Sequence, residues 1–62
     1  MTQKEIIGLA IDAVKHKRIV MAEMHEEYYR TNPSLAETLF QMVLDCNDKQ
    51  YELEKMLEEA QK

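Results

Sequence analysis

The chain has 62 residues, a net charge of −4, 45% hydrophobic and 32% charged residues, one cysteine and two histidines. That length holds one domain at most, with too little interior to stand readily without a disulfide, a metal or a partner. A lone thiol excludes an internal disulfide, two histidines with one cysteine are poor zinc-site material, and acidity argues against delocalised phosphate binding. Self-association, or binding to another protein, is what remains.

Thr2-Gln3-Lys4-Glu5 has capping-box spacing: the Thr2 hydroxyl can accept from the Glu5 amide, and Glu5 can reach back. Met1 and Ile6 stand at the staple positions on either side. So firm a start signal predicts that the native chain begins here. The first helix is expected over about 3–30. Its heptad-like stripe is Gln3, Ile7, Ala10, Val14, Lys17, Met21, Met24 and Tyr28, widened on one flank by Ile6, Ala13 and Val20. Leu9, Ile11 and Ile19 fall off that stripe and are expected to be left uncovered by the second helix. Gly8 costs helix propensity and offers room for a close helix approach.

The first helix runs into Arg30-Thr31-Asn32-Pro33-Ser34. Proline inside a helix removes a donor and clashes with the preceding turn, and it pushes Asn32 toward the extended geometry of an N-cap. A turn is therefore expected at about 31–33 and a second helix over about 34–60, with Ser34-Leu35-Ala36-Glu37 offering a second capping box that competes with Asn32. The second stripe is Ala36, Leu39, Val43, Cys46, Gln50, Leu53, Leu57 and Ala60, flanked by Phe40, Met42 and Met56. Acidic residues crowd its outer side, where Glu52–Lys55 and Glu58–Lys62 have supporting spacings.

Folded at the turn, the two stripes pair Tyr28 with Ala36, Met24 with Leu39, Met21 with Val43 and so on to Gln3 with Ala60, at a nearly constant sum of residue numbers. That is the signature of two antiparallel helices joined by a short turn. The fold expected is all-α, an antiparallel two-helix hairpin forming one domain over 1–62, dimerising into a four-helix bundle. Ile7, Val14, Met21, Met24, Tyr28, Leu39, Val43, Leu53 and Leu57 are its expected core and dimer seam.

Lys15-His16-Lys17-Arg18 makes a basic collar opposite Asp45–Gln50, with Lys15 or Arg18 expected to pair with Asp45 or Asp48 and so fix register. His25 lacks the Glu-x-x-His spacing of bundle metal sites, since residue 22 is alanine, and reads as a surface histidine. Cys46 faces inward as a small hydrophobe, with no base and oxyanion site to make it a nucleophile. Met21, Met24, Met42 and Met56 line the stripes or their flanks, as adaptable helix-contact residues do. Neither catalysis, nor a cofactor, nor a metal is expected.

Tyr29 shares a face of the first helix with Lys4, Ile11, Lys15, Arg18, Ala22 and His25, a basic and aromatic surface of the kind that binds nucleic acid. In size and layout, in the opening Met1-Thr2 and in that face, the chain resembles the Rop family of plasmid copy-number regulators. The resemblance implies a hairpin that dimerises into a four-helix bundle and binds paired RNA loops. It is one of architecture, and no RNA-contacting position is carried over.

The function expected is non-enzymatic: a small regulatory protein, inhibitor or adaptor, binding itself and another protein through the first helix, in an accessory role of the kind found in phages or mobile elements. Ile11, Lys15, Arg18, Ile19, His25 and Tyr29 are the expected partner-binding residues. A Rop-like dimer binding RNA is the second choice. No apolar run reaches membrane-spanning length, the opening is no signal peptide, and the unpaired thiol fits a reducing compartment, so the expected location is cytoplasmic.

Overall fold

A computed structural model describes residues 1–61. The helix α1 spans Gln3–Tyr28 and α2 spans Pro33–Ala60, packed against each other in one antiparallel pair, with no strand among the described residues. At the start of α1 the Thr2 hydroxyl oxygen accepts from the Glu5 amide at 3.2 Å and itself donates to the Glu5 carboxylate at 3.1 Å. The capping box therefore closes hydroxyl to carboxylate, satisfying one of the unpaired amides of the first turn.

The first helix ends two residues earlier than its pattern implies. Tyr29 caps it in a right-handed conformation and the Asn32 amide donates back to the Tyr28 carbonyl at 2.9 Å. No residue of the turn needs a positive φ, so the chain reverses without glycine. Asn32 is the cap that α2 uses: its φ is −144°, and its side-chain oxygen accepts from the Leu35 amide at 3.2 Å. Pro33 takes the first helical position, where a missing N–H costs nothing. Ser34 is already inside the helix, where its carbonyl accepts from the Thr38 hydroxyl at 3.2 Å.

The buried residues are Ile7, Ile11, Ala36, Leu39 and Cys46, and none falls below 2% exposure. On α2 the half-buried Val43, Gln50, Leu53 and Leu57 complete the stripe expected there, while Ala60 is exposed. On α1 the phase is corrected. The seam is Ile7, Ile11, Val14, Arg18, Met21 and His25, whereas Lys17, Met24 and Tyr28 are exposed and Ala10 is half-buried at its edge. Two stripes one residue apart compete on this helix. Burying Ile11 removes far more apolar area from water than burying Ala10 would, and that difference favours the second stripe.

The hairpin is thin and long, with principal extents of 47 × 16 × 11 Å and a radius of gyration of 14.3 Å. A compact chain of this length would have a radius of gyration near about 10.6 Å. Among the described residues no helix is long and apolar enough to cross a membrane.

Candidate protein-interaction surface

The middle of the seam is polar. Arg18, half-buried, sends one guanidinium nitrogen, Nη1, across to Asn47 Oδ1 at 3.0 Å and to Gln50 Oε1 at 2.8 Å. The Gln50 amide in turn donates to Glu54 at 2.8 Å. Arg18 thus crosses the hairpin as the charge pattern implies, but it meets neutral amides, while Asp45 and Asp48 stay on the exposed side of α2. Their positions on the helix turn both carboxylates away from α1. Lys15 is exposed and forms no ion pair among the described residues. Among the described residues the ion pair present is between Lys49 and Glu52, both well exposed, at 3.8 Å. Glu52 therefore turns back toward Lys49 rather than on to Lys55; the Glu58–Lys62 spacing ends outside the described residues.

Toward the turn, His25 is not a surface residue. It is half-buried, with its ring 5.6 Å from Phe40 and 6.3 Å from Tyr29, the latter nearly parallel. The Arg30 guanidinium lies 5.3 Å from the Tyr29 ring centre and its Nε donates to the Tyr29 hydroxyl at 2.8 Å. The arrangement is an aromatic cluster that closes the turn end, with a basic residue on its outer side.

These contacts place the six expected partner-binding residues in two groups. Ile11, Arg18 and His25 turn toward α2; Ile11 in particular is 7% exposed and not left uncovered. Lys15, Ile19 and Tyr29 remain outside. The basic-aromatic face of α1 is accordingly narrower than its sequence implies. Met24 and Tyr28, expected in the seam, lie open on the opposite flank.

Because Arg18 reaches Asn47 and His25 touches Phe40, the α1 side carrying Lys15, Ile19 and Tyr29 adjoins the α2 side carrying Phe40, Leu44 and Tyr51. All of the large apolar residues on that side are exposed: Ile19 by 52%, Leu44 by 42% and Phe40 by 46%. Helical periodicity puts Ile6, Met24 and Tyr28 with Leu35, Met42 and Met56 on the other side, interrupted midway by Lys17 and Lys49. Leu44 and Tyr51 were not singled out from sequence, although their spacing from Phe40 follows one helix face and carried the signal.

Chemistry is thinly provided. Cys46 is buried and not in a disulfide, and His16 lies on the exposed side of α1. Among the described residues no three His, Cys, Asp or Glu side chains gather as a metal site. An open groove at the open end of the hairpin is lined by Met1, Gly8, Leu9, Ile11 and Leu57 together with the acidic Glu5 and Asp12. Comparison with protein-family models, curated proteins and solved structures finds no match to this chain.

Proposed function

We propose that this chain is a non-enzymatic interaction protein, a small regulator that self-associates into a four-helix bundle and binds another protein through α1. One observation carries the reading: α1 is apolar on both flanks of its seam. Ile19 and Tyr29 lie exposed on one flank, and Ile6, Met24 and Tyr28 on the other. A helix with one partner needs one apolar stripe, and apolar surface beyond it marks further contacts. Inhibitor or adaptor roles, including accessory roles in phages or mobile elements, and a cytoplasmic setting belong to this proposal.

The test is affinity capture from the source cells with immobilised wild-type chain, set against Ile19→Asp and Met24→Asp. A defined protein retained by wild type and lost from either variant is the expected result, and its affinity should change little between low and high salt. Retention of nucleic acid instead, falling steeply with salt, would replace this reading with the Rop-like one. Retention of nothing beyond the chain itself would remove the second partner.

A further inference from the structure

We propose that the groove at the open end of the hairpin, between α1 and the last turns of α2, is the docking site for a basic amphipathic helix of another protein. The proposal rests on the reading of α1 as a protein-binding helix and adds which part of α1 is used and what chemistry the partner carries.

Shape selects the place. Ile11, buried, and Leu57, half-buried, form a floor where the two helices meet, and Met1 and Leu9, both more than half exposed, form apolar walls. Two other hollows lie on one helix each. One is bounded by Ala22, Glu23, Glu26 and Glu27 of α1, the other by Tyr51, Glu54, Lys55 and Glu58 of α2, and neither has a buried apolar floor. The groove is an open trough of about 450 Å³. A small molecule laid in it would keep one face in water, whereas a helix would cover it with an apolar stripe.

Gly8 is a second, independent observation. It lies inside α1, where glycine lowers helix stability relative to alanine. Its φ is not positive, and a Cβ placed there would meet nothing within 4 Å. The chain's own packing therefore has no need of a glycine at this position. In the lining of the groove its missing side chain leaves the backbone of α1 bare, which benefits a partner that approaches closely there.

Charge then describes the partner. Glu5 and Asp12 belong to the lining, and no basic residue does. Both are exposed; Glu5 accepts from the Thr2 hydroxyl, and neither is in an ion pair among the described residues. They stand two turns apart, about 10 Å along α1. Glu54 and Glu58 of α2 lie on the same side of the hairpin, while Lys4, Lys15 and Lys55 stand outside the lining. A helix with basic residues two turns apart beside an apolar stripe sets a cation against each lining carboxylate. The apolar contact supplies most of the affinity and the carboxylates select the sequence, so the salt dependence stays shallow. A second copy is a poorer occupant, being itself acidic at −4. A twofold contact through the groove would also bring Glu5 and Asp12 of both copies together.

The probes are two synthetic helical peptides with the same leucine stripe, one with lysines two turns apart beside it and the other with glutamines there. Each is titrated against the full chain by fluorescence anisotropy, with circular dichroism on every variant. Wild type should bind the lysine peptide about three- to tenfold more tightly than the glutamine peptide. Glu5→Gln combined with Asp12→Asn should erase that preference, and Asp45→Asn, on the outer side of α2, should keep it. Gly8→Leu should weaken both peptides by about tenfold or more by filling the trough, with helix content held or raised. The double variant decides independently of Gly8→Leu, since it exchanges exposed carboxylates for amides and glutamine can keep the capping box. Equal binding of the two peptides by wild type, a preference that survives the double variant, or binding of neither overturns the proposal. So does a wild-type dimer whose solution mass is halved by Gly8→Leu, which would make a second copy the occupant. A protein captured from the source cells equally by wild type and Gly8→Leu overturns this site but leaves α1 a protein-binding helix.

Discussion

Ile11 and Ile19 offer the sharpest test of the seam, because one residue type on one helix sits in two environments. Ile11 is 7% exposed and Ile19 is 52% exposed. Trimming isoleucine to alanine removes three carbons at about 0.8 kcal/mol each when fully buried, so ~2.4 kcal/mol is the transfer ceiling. At Ile11 nearly all of that is lost, and the better helix propensity of alanine returns about 0.4 kcal/mol. The net cost is about 2 kcal/mol. At Ile19 the transfer loss is about half the ceiling, less what the unfolded chain already buries, and the propensity gain leaves about 0.5 kcal/mol. A core in this size range rarely supplies more than about 3–5 kcal/mol, so Ile11→Ala removes a large share of the total. Urea unfolding followed by circular dichroism at low chain concentration measures both. Equal costs at low concentration, or a cost under about 0.5 kcal/mol at Ile11, would refute the seam described here.

The turn gives a second comparison: Asn32→Ala should cost about 1 kcal/mol by removing the cap of α2, and Ser34→Ala should fall within about 0.5 kcal/mol of wild type, both read from urea midpoints. Gly8 lies inside α1, and a Cβ placed there meets nothing within 4 Å. Gly8→Ala should therefore stabilise the hairpin by about 0.5–1 kcal/mol; destabilisation instead would mean that another helix approaches at that point. Arg18→Ala should lower stability by about 1–2 kcal/mol, because it removes charge-assisted bonds to Asn47 and Gln50. An unchanged melt with lost target binding would make Arg18 a recognition residue instead.

The legibility of the two helices differed for a physical reason. On α2 the outward positions, Glu37, Asp45, Asp48, Glu52, Lys55, Glu58 and Glu59, leave one side on which an apolar stripe can lie, and it lies there. On α1 apolar residues occupy most of the circumference, so a stripe through Ala10, Lys17 and Met24 and one through Ile11, Arg18 and His25 fit the same period. Periodicity counts apolar positions; packing weighs volume and reach, which favour Ile11 over Ala10. It also admits Arg18 and His25, whose polar ends find Asn47, Gln50 and the Tyr29–Phe40 cluster across the seam. Those contacts depend on residues far along the chain. The turn was local and therefore readable: Asn32-Pro33 carries its own geometry. The end of α1 was not, since Tyr29-Arg30-Thr31 contains no stop signal.

The polar layer also ties stability to association. Arg18 crosses the seam to amide oxygens and has no carboxylate partner among the described residues, so its charge is carried by neutral acceptors. A carboxylate at Asn47 or Gln50 would have bound it more strongly and made the single hairpin more self-sufficient. The acids of α2 are instead turned outward, all of them exposed. With five buried residues among those described and a seam interrupted at its centre, the isolated hairpin has little free energy in reserve. Folding and association are then expected to be one equilibrium, in which the midpoint of unfolding rises with chain concentration. A midpoint independent of concentration, in a chain that remains fully helical at high dilution, would show that the hairpin needs no partner to fold.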